Sequence, residues 1–350
     1  MGSGLGNRHM KHKMRSFLLG FVGLIPLGAW AASPAPLVLT HRYDLPASIA
    51  GHFDHFEVDA AGKRLFGTAV NAHYLVIFNF ATGKVIKLIP MEIPRGGVYR
   101  ADLKRLYVTD GTGWLRIYDS RTYKLLKSLP MEIDADPIEY DPATGRIFAV
   151  NGGEKAGHSY SHITVFDSVT ERQIGNIKVA GNDLEDFGIE RHGPRLFANV
   201  EALNQIDVID MRTLRVTDVW KLTGVRQNYG AAIDERTHRL FVACREGGLL
   251  VLDSETGRQL QTLPIGGGTD YIAFDPASRR IYVSGGGGHG WVDVFKEEDA
   301  NHYRLLGEVT TEPGAATSNL ITSLGEYIVM TPSSPSGPGQ VWVYKIVSGN

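Results

Sequence analysis

Gly51-His52-Phe53-Asp54-His55 places two imidazoles and a carboxylate within four residues. Such a set can hold a transition metal, because imidazole nitrogen suits Zn²⁺ or Cu²⁺. It can also move protons near neutral pH. On a regular strand His52 and Asp54 share one face and His55 points to the other. The pattern therefore predicts that the three side chains need not reach one ion.

This segment is one of seven similar ones. A turn acid recurs at Asp59, Asp102, Asp141, Glu190, Asp234 and Asp275, with Ser323 in the last copy. Counting back five residues from each gives Asp54, Gly97, Asp136, Glu185, Tyr229, Asp270 and Ser318. If equivalent positions face a common axis, four carboxylates converge. They repel strongly unless a cation, a proton or an arginine compensates them. Oxygen ligands suit Ca²⁺ or Mg²⁺, whereas His52 and His55 at the same rim would draw Zn²⁺ or Cu²⁺. Asp54, Asp136, Glu185 and Asp270 are thus the expected metal ligands, and one of these divalent cations is the candidate cofactor. His52 or His55 is the expected general base. The competing reading is that these acids only cap turns or bond backbone N–H groups while solvent screens them.

Loops that follow the second strand of each repeat supply further candidates. Arg245 can act as counter-ion to the acid ring or anchor a carboxylate-bearing ligand. Asp110, Asn151, Asn199 and His289 lie on equivalent loops, and Glu154 to Ser161 extends one of them so that His158 or Tyr160 could overhang a ligand. The run Gly285–Gly288 is not a phosphate loop, because it lacks the Lys-Ser/Thr ending. Cys244 is the only cysteine, so no internal disulfide is available. It reads as a buried thiol. Neither a G-x-S-x-G elbow nor an H-E-x-x-H motif is present.

The elements that must position these residues are short strands. Second strands recur as Arg64-Leu65-Phe66, Arg105-Leu106-Tyr107-Val108, Arg146-Ile147-Phe148, Arg195-Leu196-Phe197, Arg239-Leu240-Phe241 and Arg280-Ile281-Tyr282, with Glu326-Tyr327-Ile328 as a degraded seventh copy. Third strands run apolar, as in Tyr74 to Phe78 and Leu249 to Leu252. The hairpin turns that follow keep a Thr, as in Thr82, Thr122, Thr170, Thr213 and Thr256, whose hydroxyl can bond the turn backbone. A period of roughly 40–45 residues with about four short strands per unit is the mark of a β-propeller. The fold class is all-β, with seven blades in one domain. The last repeat stops after its third strand, while Leu37 to Tyr43 has no partner beside the first. The count of strands predicts that this N-terminal segment closes the last blade and removes an open edge.

Residues 1–31 read as a leader and 32–350 as the propeller. Lys11, Lys13 and Arg15 precede an apolar run, Phe17 to Leu27, that is too short to span a bilayer comfortably. Ala29-Trp30-Ala31 is an A-x-A cleavage signal, giving a start at Ala32 and a periplasmic or secreted protein with no stable membrane span. Loss of Arg8, Lys11, Lys13 and Arg15 takes the net charge from −2 to −6. That balance disfavours nucleic acid as a partner.

Arg105-Leu106-Tyr107-Val108-Thr109-Asp110-Gly111, Asp141-Pro142-Ala143-Thr144-Gly145-Arg146 and Asp275 to Gly286 carry a resemblance to the YncE-like, or YVTN-repeat, family of exported seven-bladed propellers. It covers about residues 48–347. Members are mostly binding or scaffold proteins, and DNA binding has been proposed for one type. The resemblance implies a protein that presents its channel mouth to a small molecule, a metal or a protein partner. The fold is more distantly similar to lactonases and a metal-dependent lyase, so the alternative is a metal-dependent hydrolase or lyase working through the channel carboxylates.

Overall fold

The computed structural model describes residues 1–2 and 35–348. The leader, its cleavage signal and the start at Ala32 lie outside the described residues. Residues 35–348 form seven four-stranded antiparallel sheets, each a blade. No helix among the described residues is long and apolar enough to cross a membrane. The inner strands, in chain order, are Phe53–Asp59, Pro94–Arg100, Ile138–Asp141, Leu184–Ile189, Asn228–Asp234, Thr269–Asp275 and Ser318–Ile321.

Closure follows the strand count. In the last blade, Glu326–Thr331 and Gln340–Ile346 follow the inner strand, and the N-terminal strand Leu37–Asp44 is the fourth. It pairs from Leu37 opposite Ile346 to Asp44 opposite Gln340. Leu37 is buried, and the Arg42 guanidinium lies 4.0 Å over the Trp342 ring. The chain thereby clasps its own end, and Gln340–Ile346 is covered by a fourth strand as the third strand of every other blade is.

Apolar side chains from the second and third strands meet between blades, not within them. Phe53, Leu65 and Phe78 of the first blade pack on Ile328, Met330 and Val341 of the last. Seven such clusters exist, one per junction, so the core is itself a closed ring.

The arginine that heads the second strand in the first six blades has a specific task. Arg64 Nη1 donates to Ser120 O at 2.6 Å, Arg195 Nη1 to Ser254 O at 2.7 Å, and Arg239 Nε to Ala300 O at 2.8 Å. Arg280 Nη1 donates to Val347 O at 2.7 Å, and Arg146 donates to Met211 O. Each acceptor sits where the third strand of the following blade ends. Arg105 reaches Glu171 of the third blade at 2.8 Å instead. A charged donor on a carbonyl contributes roughly 1.5–3 kcal/mol, less where water reaches it. The repeat arginine is therefore a clamp from one blade to the next.

The turn threonines behave differently from the expectation. The hydroxyls of Thr122, Thr170, Thr213 and Thr256 donate to the carboxylates of Asp119, Asp167, Asp210 and Asp253, not to backbone. The same carboxylates accept two backbone N–H groups each, as Asp119 does from Arg121 and Thr122. An Asx-type turn built on the aspartate thus replaces one built on the threonine.

Closure by the N-terminal strand is testable with one pair of variants. Leu37→Ala should lower the unfolding free energy by about 2–3 kcal/mol, as expected for a buried leucine. Val38→Ala, at a side of the same strand that is 47% exposed, should cost less than about 0.5 kcal/mol. Equal effects in urea denaturation would show that the strand is not packed as described.

Candidate functional site at the channel mouth

A β-bulge in the inner strands shapes the mouth. In the first blade Phe53 pairs with Ala69 and Phe56 with Gly67, so Asp54 and His55 together oppose Thr68. The same extra residue occurs at Arg95/Gly96, Glu185/Asp186, Tyr229/Gly230 and Asp270/Tyr271. A polar side chain of the second strand ties three of these bulges. Thr68 Oγ1 accepts from His55 N and donates to His55 O. Thr109 accepts from Gly96 N and donates to Asp136 O. Asn199 Nδ2 donates to Asp186 O, whereas Ser284 Oγ reaches across to Ala316 O of the seventh blade. A bulge turns two successive side chains toward one side. The alternation expected for Asp54 and His55 therefore fails, and His55 Nε2 lies 3.5 Å from Asp54 Oδ1.

Pairing also corrects the ring. The last inner-strand residue opposite the head of the second strand is Asp59, Asp141, Asp234 and Asp275 in four blades, but Arg100 in the second and Ile321 in the seventh. Asp102 and Ser323 lie two residues too late as markers. The true ring reads Asp54, Arg95, Asp136, Glu185, Tyr229, Asp270 and Ala316. Gly97 does not belong to it. Ser318 is buried and hydrogen-bonds Ser284 and Tyr327 away from the axis.

Two groups result. Arg95 Nη1 sits 2.7 Å from Asp54 Oδ2 and 3.3 Å from Asp136 Oδ2. The opposite group surrounds Arg245, whose guanidinium lies 3.9 Å over the Tyr229 ring. It contacts Asp270 at 3.0 Å, Glu185 at 3.2 Å and Glu201 at 3.6 Å. Among the described residues, ligand-capable atoms within 4.8 Å of one another occur as Asp54, His55 and Asp136, and as Asp183, Glu185 and Glu201. Neither group joins the four carboxylates expected to share one ion. Asp270 stands with Arg245, and His52 is exposed with its backbone N–H on Asn71.

The remaining candidates are placed as follows. Asn151, Asn199 and Asp110 are buried. Asn151 donates to Ala149 O and Thr164 Oγ1, and Asn199 accepts from Asn228. Asp110 holds its own loop through Thr112 and Arg116. Their polar groups are spent within the fold. His158 stacks on Tyr160 at 4.7 Å, and His289 pairs with Glu308 at 2.9 Å. The extended loop carries a short 3₁₀ turn, Glu154–Ala156, whose Lys155 bonds Asp134 at 2.6 Å. Cys244 is buried, and burial pushes its thiol up to about 12, so it is not a thiolate.

Electrostatics separates the two groups. Burial alone would raise Asp54, but the charges of His55 and Arg95 hold it below the usual carboxylate range. Burial would lower His55, yet Asp54, Asp186, Asp136 and Asp270 raise it to about 9. Asp136 is pushed up to about 7 by burial and by the charge of Asp54. On the other side burial raises Glu185 well above its ordinary value, with Asp183 and Glu201 raised for the same first cause; burial also raises Asp186, against the charge of His55. Asp136 Oδ1 and Glu201 Oε2 are buried acceptors without a hydrogen-bond partner in the protein. Two guanidinium groups face more carboxylates than they can neutralise, and burial favours the protonated form of the remainder.

Comparison with protein-family models and with curated proteins gave no match for this chain.

The pH dependence has a definite sign. Both raised groups bind more protons folded than unfolded, so each stabilises the fold at low pH and loses that contribution as pH rises through its folded value. For Asp136 the loss runs from its ordinary 3.8 to about 7, and for His55 from 6.5 to about 9. Asp136→Asn should flatten the fall in stability on the acid side of pH 7, and His55→Gln the fall above it. Arg95→Met should cost about 3 kcal/mol by stranding two buried carboxylates, part of it regained with Asp136→Asn. Stability curves unchanged by these substitutions would contradict the coupling.

Proposed function

We propose that this protein is an exported binding propeller of the YncE-like kind, and that its channel mouth takes a hard divalent cation. Support for export is the basic, apolar and A-x-A succession before Ala32. Support for the family is the repeated Arg-apolar strand and Asp-Pro-Ala-Thr-Gly-Arg turn. The binding reading rests on one observation above all: around Arg245 four carboxyl groups, Glu185, Glu201, Asp270 and Asp183, share a single guanidinium.

The Arg95 group is the poorer metal site. Its guanidinium already bridges both acids, and His55 is charged up to about 9, so its nitrogen is not free to ligate. The all-oxygen set Asp183, Glu185 and Glu201 suits Ca²⁺, Mg²⁺ or Mn²⁺. A cation there replaces protons that burial otherwise retains, so binding is coupled to proton release. Arg245 then stays on Asp270 and Tyr229 as the fixed wall of the site. The hydrolase reading needs His55 as an unprotonated base. A charged imidazole between Asp54 and Asp186 donates protons instead of taking them, and no observation favours that reading over binding.

Calorimetric titration of Mn²⁺ and Ca²⁺ into metal-free protein at pH 6 and pH 8 tests the proposal. Affinity should rise about tenfold or more between these values if one proton is displaced, with protons released to buffer. Glu185→Gln/Glu201→Gln should abolish binding while Asp54→Asn leaves it within about threefold. No binding of either ion, or binding equal in both variants, would overturn the assignment.

A further inference from the structure

The channel has a second, unlike end. Three residues inward of the mouth ring, the inner strands present Glu57, Glu139 and Asn319 from the first, third and seventh blades. They present Gly188, Ala232 and Ala273 from the fourth, fifth and sixth. The small residues leave space that larger ones would fill, and a cavity of about 910 Å³ opens there. One wall is apolar, formed with Phe187, Ile233, Ile272 and Phe274. The other carries the two glutamates. This volume and mixture match a small-molecule site, where a few polar groups converge on an apolar wall.

Most rim charges around the cavity are already paired, the Arg191 guanidinium excepted. Glu235 accepts from Arg191 N and His192 N, and Asp234 pairs with Arg236 at 3.3 Å. Arg191 itself donates to Tyr140 O. Glu57 accepts from the backbone N–H groups of Val58 and Tyr99, and neither glutamate forms an ion pair among the described residues. A metal is disfavoured, because these two acids lie in neither group of three close ligand atoms. The countercharge that fits is an ammonium, and the wall opposite asks for carbon.

We propose that this lower cavity binds a small organic amine, its ammonium against Glu57 and Glu139 and its apolar body against the Ala232, Ala273 and Phe274 side. The site is independent of the cation site at the mouth. Burial first, then their mutual repulsion for Glu57 and the Asp186 charge for Glu139, push both carboxyls up to about 7. Arg191 opposes this for both, and His55 opposes it for Glu139, while Tyr99 and Val58 reach Glu57 through backbone hydrogen bonds. Tyr271, facing both glutamates, is neutral because burial raises its phenol. Since only the ionised carboxylate attracts an ammonium, affinity must rise with pH through neutrality.

Benzylamine is a suitable probe, with benzyl alcohol as its uncharged counterpart. In calorimetric titrations of the protein, benzylamine should bind about tenfold tighter at pH 8 than at pH 6. Benzyl alcohol should bind at least tenfold more weakly at pH 8. Glu57→Gln/Glu139→Gln should reduce benzylamine affinity by tenfold or more, with the melting temperature showing that the variant is folded. Ala232→Leu, which fills the space from the opposite wall, should give the same loss by a different route. Glu185→Gln/Glu201→Gln at the mouth should leave benzylamine binding intact, so failure of one site does not mask the other. Benzylamine that does not bind, that binds no better than benzyl alcohol, or that binds undiminished to the lower-cavity variants would overturn the proposal.

Discussion

Seven inner strands converge on one axis, and whatever charge they carry must be balanced there. In this chain the burden is acidic. Asp54, Asp136, Glu185 and Asp270 meet at one level, with Asp183, Asp186 and Glu201 close by. Arg95 and Arg245 answer part of it from opposite sides. Burial raises Asp136 and Glu185 and so favours their protonated forms. The mouth thus concentrates acid that an apolar channel would not carry.

Two local devices turn a repeated scaffold into an asymmetric channel. The first is the bulge, which aims consecutive residues at the axis and so brings His55 beside Asp54. In three blades Thr68, Thr109 and Asn199 tie it from the second strand. The second is side-chain size. Blades four to six offer Gly188, Ala232 and Ala273 where blades one and three offer glutamates, so the lower channel widens to one side. Outside the channel the blades stay nearly equivalent, held by arginine clamps and by apolar seams between neighbours.

Blade number, strand order and the closing role of Leu37 to Tyr43 were legible in the sequence because they follow from periodicity and a strand count. Glu185, Asp270 and Arg245 were also legible as one neighbourhood, since they share a repeat position or its adjoining loop. Arg95 was missed for a simple reason. The second repeat carries its turn acid at Asp102, two residues beyond the last paired residue, Arg100, so the ring position was counted as Gly97. The bulge was missed because alternation assumes regular pairing. Its signal was present in three blades as a polar residue, Thr68, Thr109 or Asn199, interrupting the apolar second strand. Asn151 and Asn199 look like ligand contacts by type and loop position, but burial and hydrogen bonding assign them to the fold.

The most direct measurement is a crystal structure of the Mn²⁺-soaked protein at pH 8 with anomalous scattering from the metal. The account predicts one anomalous peak within direct coordination distance of oxygens from Asp183, Glu185 and Glu201, with Arg245 still stacked on Tyr229. A peak held by Asp54, His55 and Asp136 instead would contradict the division of charge between the two arginines. A mouth that takes up no Mn²⁺ would contradict the claim that its acids await a cation.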